Sequence, residues 1–150
     1  MDLLVAVTEA AVTLATTEQP AASLDAVTQG AELGEVACLV LRRLGPGVDG
    51  IAYLSAAHAF AEIRQAMDDA AVQYDRGHAR VVPRLEAGPA DVFLAESALA
   101  GLASDLCITL GLLARRAQRP EGADAASRAV ESAVRARRIL TRRGTDDDLR

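Results

Sequence analysis

The chain has 150 residues, a formal net charge of −5 and 51% apolar residues, with 3% aromatics and no tryptophan. That length fits one domain able to bury roughly 68–70% of its unfolded surface, so no metal or disulfide staple is needed to hold it together. The acidic balance, with a pI of about 5.0, disfavours non-specific binding to nucleic acid or to an anionic membrane.

Leu, Val, Ile and Phe make up roughly a quarter of the chain, above the level at which disorder sets in. Most of the remaining apolar content is alanine, the strongest helix former, and the scarcity of aromatics disfavours a β-fold. All 16 basic residues are arginine, and lysine and asparagine are absent. The codon bias of a GC-rich bacterial genome accounts for that pattern, so it carries no functional reading. The expectation is an all-α single domain over 1–150, a four- to five-helix and mostly antiparallel bundle.

In chain order, the first helix is expected over about Asp2 to Thr17, with Leu3, Val7, Ala10 and Leu14 on one face. Its Val and Thr content leaves a strand conceivable there. The second covers Ala21 to Leu44, with a core stripe of Leu24, Val27, Ala31, Gly34, Cys38 and Leu41. Arg42 and Arg43 suit its C-terminal end, and Gly45-Pro46-Gly47 stops it, which makes Gly45 to Gly50 the best linker. The third, Ile51 to Arg76, repeats Tyr53, Ala56, Phe60, Ile63, Met67, Ala70 and Tyr74 at three-four spacing. A long loop from Gly77 to Pro89 follows, in which Val81-Val82-Pro83 suits an extended path.

The fourth helix, Ala90 to Gln118, carries Val92, Leu99, Leu106 and Leu113 at heptad spacing and is apolar nearly all round. Its Ser97, Ser104 and Gly111 form a narrow small-residue stripe where another backbone can approach. Arg119-Pro120-Glu121-Gly122 separates it from a fifth helix over Gly122 to Arg143, and the tail over about 144–150 is expected to fray. The second, third and fourth helices are expected to form the core, with short first and fifth helices packed alongside. Charges interrupt every apolar run before it reaches bilayer length, so no membrane span is expected.

Four groups of side chains have chemical potential. His58, Glu62, Gln65 and Asp69 share a face of the third helix, but only Asp75-x-x-His78 resembles a further ligand pair, and no metal is expected. Arg128, Arg135, Arg138 and Arg142 line the fifth helix. Asp124 and Glu131 precede Arg128 and Arg135 by one turn, which reads as a self-paired surface more than as a phosphate stripe. Arg76, His78, Arg80 and Arg84 form a basic loop cluster, the best place for an anion to bind if one does. Glu96 and Asp105, on the most apolar helix, are the only acid/base candidates for an enzyme. There is no phosphate loop, no nucleophile elbow and no paired Cys/His spacing.

The two cysteines, Cys38 and Cys107, are distant in sequence and read as buried reduced thiols, which fits a cytoplasmic location. No cofactor and no catalytic residue is expected. The leading expectation is a non-catalytic interaction or assembly bundle, homodimeric through the helix that contains Leu99, Leu106 and Leu113. The alternative is a regulatory or ligand-binding bundle that takes an anion, a nucleic acid or an acidic partner on its Arg-rich loop or last helix.

Overall fold

Among the described residues, alanine-rich segments with three-four patterning fold into five α-helices: α1 (Leu3–Thr16), α2 (Pro20–Leu44), α3 (Asp49–Ala71), α4 (Val92–Arg116) and α5 (Pro120–Asp148). The computed structural model describes residues 1–17, 20–44, 49–71, 84–117 and 119–148, and those residues contain no β-strand.

The ambiguous first segment is a helix, for local reasons. Asp2 caps it, its carboxylate accepting from the Val5 N–H at 3.1 Å. The threonines that favour a strand turn their hydroxyls back onto the preceding turn, Thr8 donating to the Leu4 carbonyl at 2.7 Å and Thr13 to that of Glu9 at 2.9 Å. Leu3, Ala6, Val7 and Leu14 are then buried on one side.

Helices α2, α3, α5 and α4 form a closed ring of four in which each packs on the next, and α1 lies along the seam between α2 and α4. Adjacent members of the ring run antiparallel. Gly34 of α2 meets Phe60 of α3, while Gly30 of α2 lies beside Leu102 and Leu106 of α4. Helices α3 and α4 are diagonal and parallel, with Tyr53 and Glu96 joined near the start of each. The connection between them must therefore return the length of α3, roughly 35 Å.

The end of that return is fixed to the amino terminus. Leu3 N–H donates to the Glu86 carbonyl and Glu86 N–H to the Met1 carbonyl, each at 2.9 Å. The Met1 ammonium donates to the Arg84 carbonyl at 3.1 Å, and Leu85 is buried. Pro89–Asp91 then form one 3-10 turn that leads into α4, with Gly88 N–H donating to the Asp91 carboxylate at 3.1 Å.

The third-helix seam is core as expected: Tyr53, Ala56, Phe60, Ile63 and Met67 are all buried. The side chain of Ala70, all of Tyr74 and the Val81-Val82-Pro83 segment lie outside the described residues. Two expectations need correction. Helix α3 begins at Asp49, so the linker is shorter than Gly45 to Gly50. The fifth helix is neither short nor peripheral; it runs from Pro120 to Asp148 and packs along both α3 and α4. It does so through Ala125, Ala126, Ala129, Ala133, Ala136 and Leu140, all buried. Small side chains let its backbone approach closely, so it contributes to the core without a stripe of large residues.

Candidate functional site

Of the basic loop cluster, Arg76, His78 and Arg80 lie outside the described residues. Arg84 is exposed, and its carbonyl holds the amino terminus.

The polar face of α3 is solvated, with His58 and Gln65 exposed. Glu62 is half exposed and engaged across the bundle. It accepts from the Ser132 hydroxyl at 3.0 Å and pairs with the Arg135 guanidinium. The hydrogen bond from Arg135 is the main reason its carboxyl is held below the usual range. The side chain of Asp69 lies outside the described residues, and among those described no group of three or more His, Cys, Asp or Glu converges to hold a metal.

The arginine stripe of α5 is not self-paired in the expected way. Asp124 and Arg128 form no ion pair, and Glu131 does not pair with Arg135, because Arg135 turns to Glu62 on α3 instead; the side chain of Arg142 lies outside the described residues. The packing of α5 against α3 puts a carboxylate from another helix within reach, a geometry that sequence spacing within one helix does not display. A second inter-helix pair joins Arg64 of α3 to Glu35 of α2 at 3.2 Å.

Glu96 accepts a hydrogen bond from the hydroxyl of buried Tyr53, which ties α4 to α3 across the bundle. Asp105 is half-buried, with no hydrogen bond or ion pair among the described residues. Burial raises its carboxyl above the ordinary value. It lines a cleft of about 660 Å³ between α1, α2 and α4, together with Leu14, Ser23, Thr109, Leu112 and Arg116. Cys38 is buried, and desolvation, helped by nearby Glu35 and Glu96, pushes its thiol up to about 12. Cys107 is only half-buried, contrary to expectation, and both thiols are free.

The most distinctive surface is the outer side of α4. The heptad leucines of this helix are inside: Leu99 and Leu106 have no exposure, and Leu113 is half-buried against the core. The opposite side is also apolar. Phe93 is 70% exposed, Leu94 53%, Ile108 64% and Leu112 42%. Between them, Ser97 and Gly101 are exposed and Ser104 and Gly111 half-exposed. A Cβ added at Gly101 or at Gly111 would meet nothing within 4 Å.

Helix α1 extends this face. It packs beside α4, its Ala15 lines the cleft with Ile108 and Leu112, and its outer side exposes Val5 and Val12. At side-chain areas of roughly 150–200 Å² each, these six apolar residues leave on the order of 600 Å² open, at the top of the range for a monomer. Contrary to the sequence expectation, Pro89–Arg116 is long and apolar enough to cross a membrane by length and composition, and 28% of its most apolar window is buried in the bundle. Glu96 and Asp105 lie within that segment, and its inner side carries the fully buried leucines of the core.

No family model matches the chain, and no curated protein or solved structure matches it either.

Proposed function

We propose that this protein is a small non-catalytic assembly module of the cytoplasm that pairs with a second copy of itself through the outer side of α4. The observation that supports the reading best is the two-sided apolarity of α4. Leu99, Leu102, Leu106 and Leu110 fill the bundle core, while Phe93, Leu94, Ile108 and Leu112 face outward. A helix that only served the core of a solvated bundle would carry charge on that outer side. The free thiols Cys38 and Cys107 fit a reducing compartment.

The alternative, an anion or acidic partner on the Arg-rich surfaces, has less support. Arg135 is already engaged with Glu62, and Arg128 and Arg138 are exposed with no aromatic side chain interleaved.

The test is to place a long charged side chain in the small-residue stripe. Ser104→Arg and Gly111→Arg, each alone, are expected to turn a dimer into a monomer in sedimentation equilibrium while far-UV circular dichroism stays helical. A dimer that survives both changes contradicts the assignment. So does a wild-type monomer that floats with phosphatidylcholine vesicles, since the face would then serve lipid.

A further inference from the structure

We infer that two α4 helices pair antiparallel across a two-fold axis that passes between the levels of Gly101 and Ser104. This rests on the self-association reading above and specifies its register. Size and charge along the exposed side both support it.

Along that side, large residues occupy the ends and small ones the middle. Leu94 stands near the start, Ile108 and Leu112 near the end, and Ser97, Gly101 and Ser104 between them. Antiparallel pairing about the stated axis sets Ile108 level with Ser97 of the other copy and Leu94 level with its Gly111. Ile108 and Leu94 each then enter a gap left by a small residue, Phe93 of one copy comes level with Leu112 of the other at either end, and Gly101 faces Ser104 where the two backbones come closest. Leu94 of one copy also falls beside Ile108 and Leu112 of the other, which gives two equivalent apolar clusters flanking a thin centre. Parallel pairing sets Ile108 level with Ile108 and Ser97 level with Ser97, so large meets large and small meets small at every level.

Charge points the same way. Glu86 and Asp91 precede or open α4, while exposed Arg115 and Arg116 close it. Antiparallel pairing brings acids beside arginines at both ends and aligns the helix dipoles favourably, whereas parallel pairing stacks like charges. Area adds to this. The four exposed apolar side chains of α4 supply on the order of 400 Å² per copy, and with the small residues between them and Val5 and Val12 on the flanking α1 the face approaches the roughly 800 Å² per partner of a standard interface.

The experiment uses the full chain with Cys107→Ser, so that buried Cys38 is the sole native thiol. Ser97→Cys and Ile108→Cys are made separately and oxidised alone and mixed. The expected result is a disulfide-linked dimer only in the mixture, because 97 faces 108 and not itself. Cross-linking of each variant alone, with no gain on mixing, indicates parallel pairing and overturns the inference while self-association stands. A mass of one chain for the Cys107→Ser parent would instead overturn the reading on which the inference rests. A nitroxide on Ser97→Cys tests the register with Ile108 intact. Two labels separated by roughly 15 Å or more support antiparallel pairing, and labels in contact contradict it.

Discussion

At the scale of single residues, the contrast between Gly30 and Gly34 shows how tightly α2 is held. A Cβ at Gly34 would lie 2.6 Å from the buried Phe60 ring, inside any tolerable contact, so that glycine is what allows the ring to lie against the α2 backbone. At Gly30 the nearest atoms, from Leu102 and Leu14, are 3.5 Å away, an ordinary van der Waals contact. Gly34→Ala is therefore expected to lose about 1–3 kcal/mol through overpacking, more than the helix-propensity gain returns. Gly30→Ala is expected to gain up to about 1 kcal/mol, because alanine restricts the unfolded chain without a clash. Urea titrations of both variants check the opposite signs, and a stabilised Gly34→Ala would mean that Phe60 is not locked in place. The sequence marks Gly34 as part of a core stripe, but nothing in it separates the two glycines. That difference depends on the ring of another helix.

At the scale of elements, α4 was the most legible and the most misleading. Its all-round apolarity is plain in the sequence, and so is the small-residue stripe of Ser97, Ser104 and Gly111. The heptad of Leu99, Leu106 and Leu113 does not say which side of the helix is left open, because a heptad repeat records a packed seam without recording whether the partner is in the same chain. Here that partner is the rest of the bundle. Helix α5 failed in the opposite way: its buried stripe is alanine, which composition reads as helix propensity and not as core.

Asp105 belongs to this scale too, since its surroundings are set by where α1 crosses α4. Desolvation raises its folded-state carboxyl value, so the ionised form opposes folding. The cost is present above the folded value and disappears as pH falls below the unfolded value of about 3.9. Asp105→Asn is thus expected to raise the melting temperature at pH 7 and to lose that advantage near pH 3. A variant less stable than the parent at pH 7 would show that the carboxylate has a stabilising partner.

At the scale of the whole molecule, the bundle class and the helix count follow from pattern and composition, while the topology does not. Short links dictate antiparallel α1/α2, α2/α3 and α4/α5 pairs. The parallel diagonal of α3 and α4 depends on a return segment whose anchor, the backbone pairing of Glu86 with Met1 and Leu3, uses main-chain groups and leaves no side-chain signature. Closing the ring this way leaves α4 with α1 and α5 on its flanks and its outer side uncovered. A lone chain then presents Phe93, Leu94, Ile108 and Leu112 to water. The measurement that bears most directly on the proposed pairing is the mass of the wild-type protein by light scattering coupled to size exclusion, over a range of micromolar concentrations. A mass near twice the 15.7 kDa of one chain is the expected result. A mass of 15.7 kDa at every concentration would contradict it.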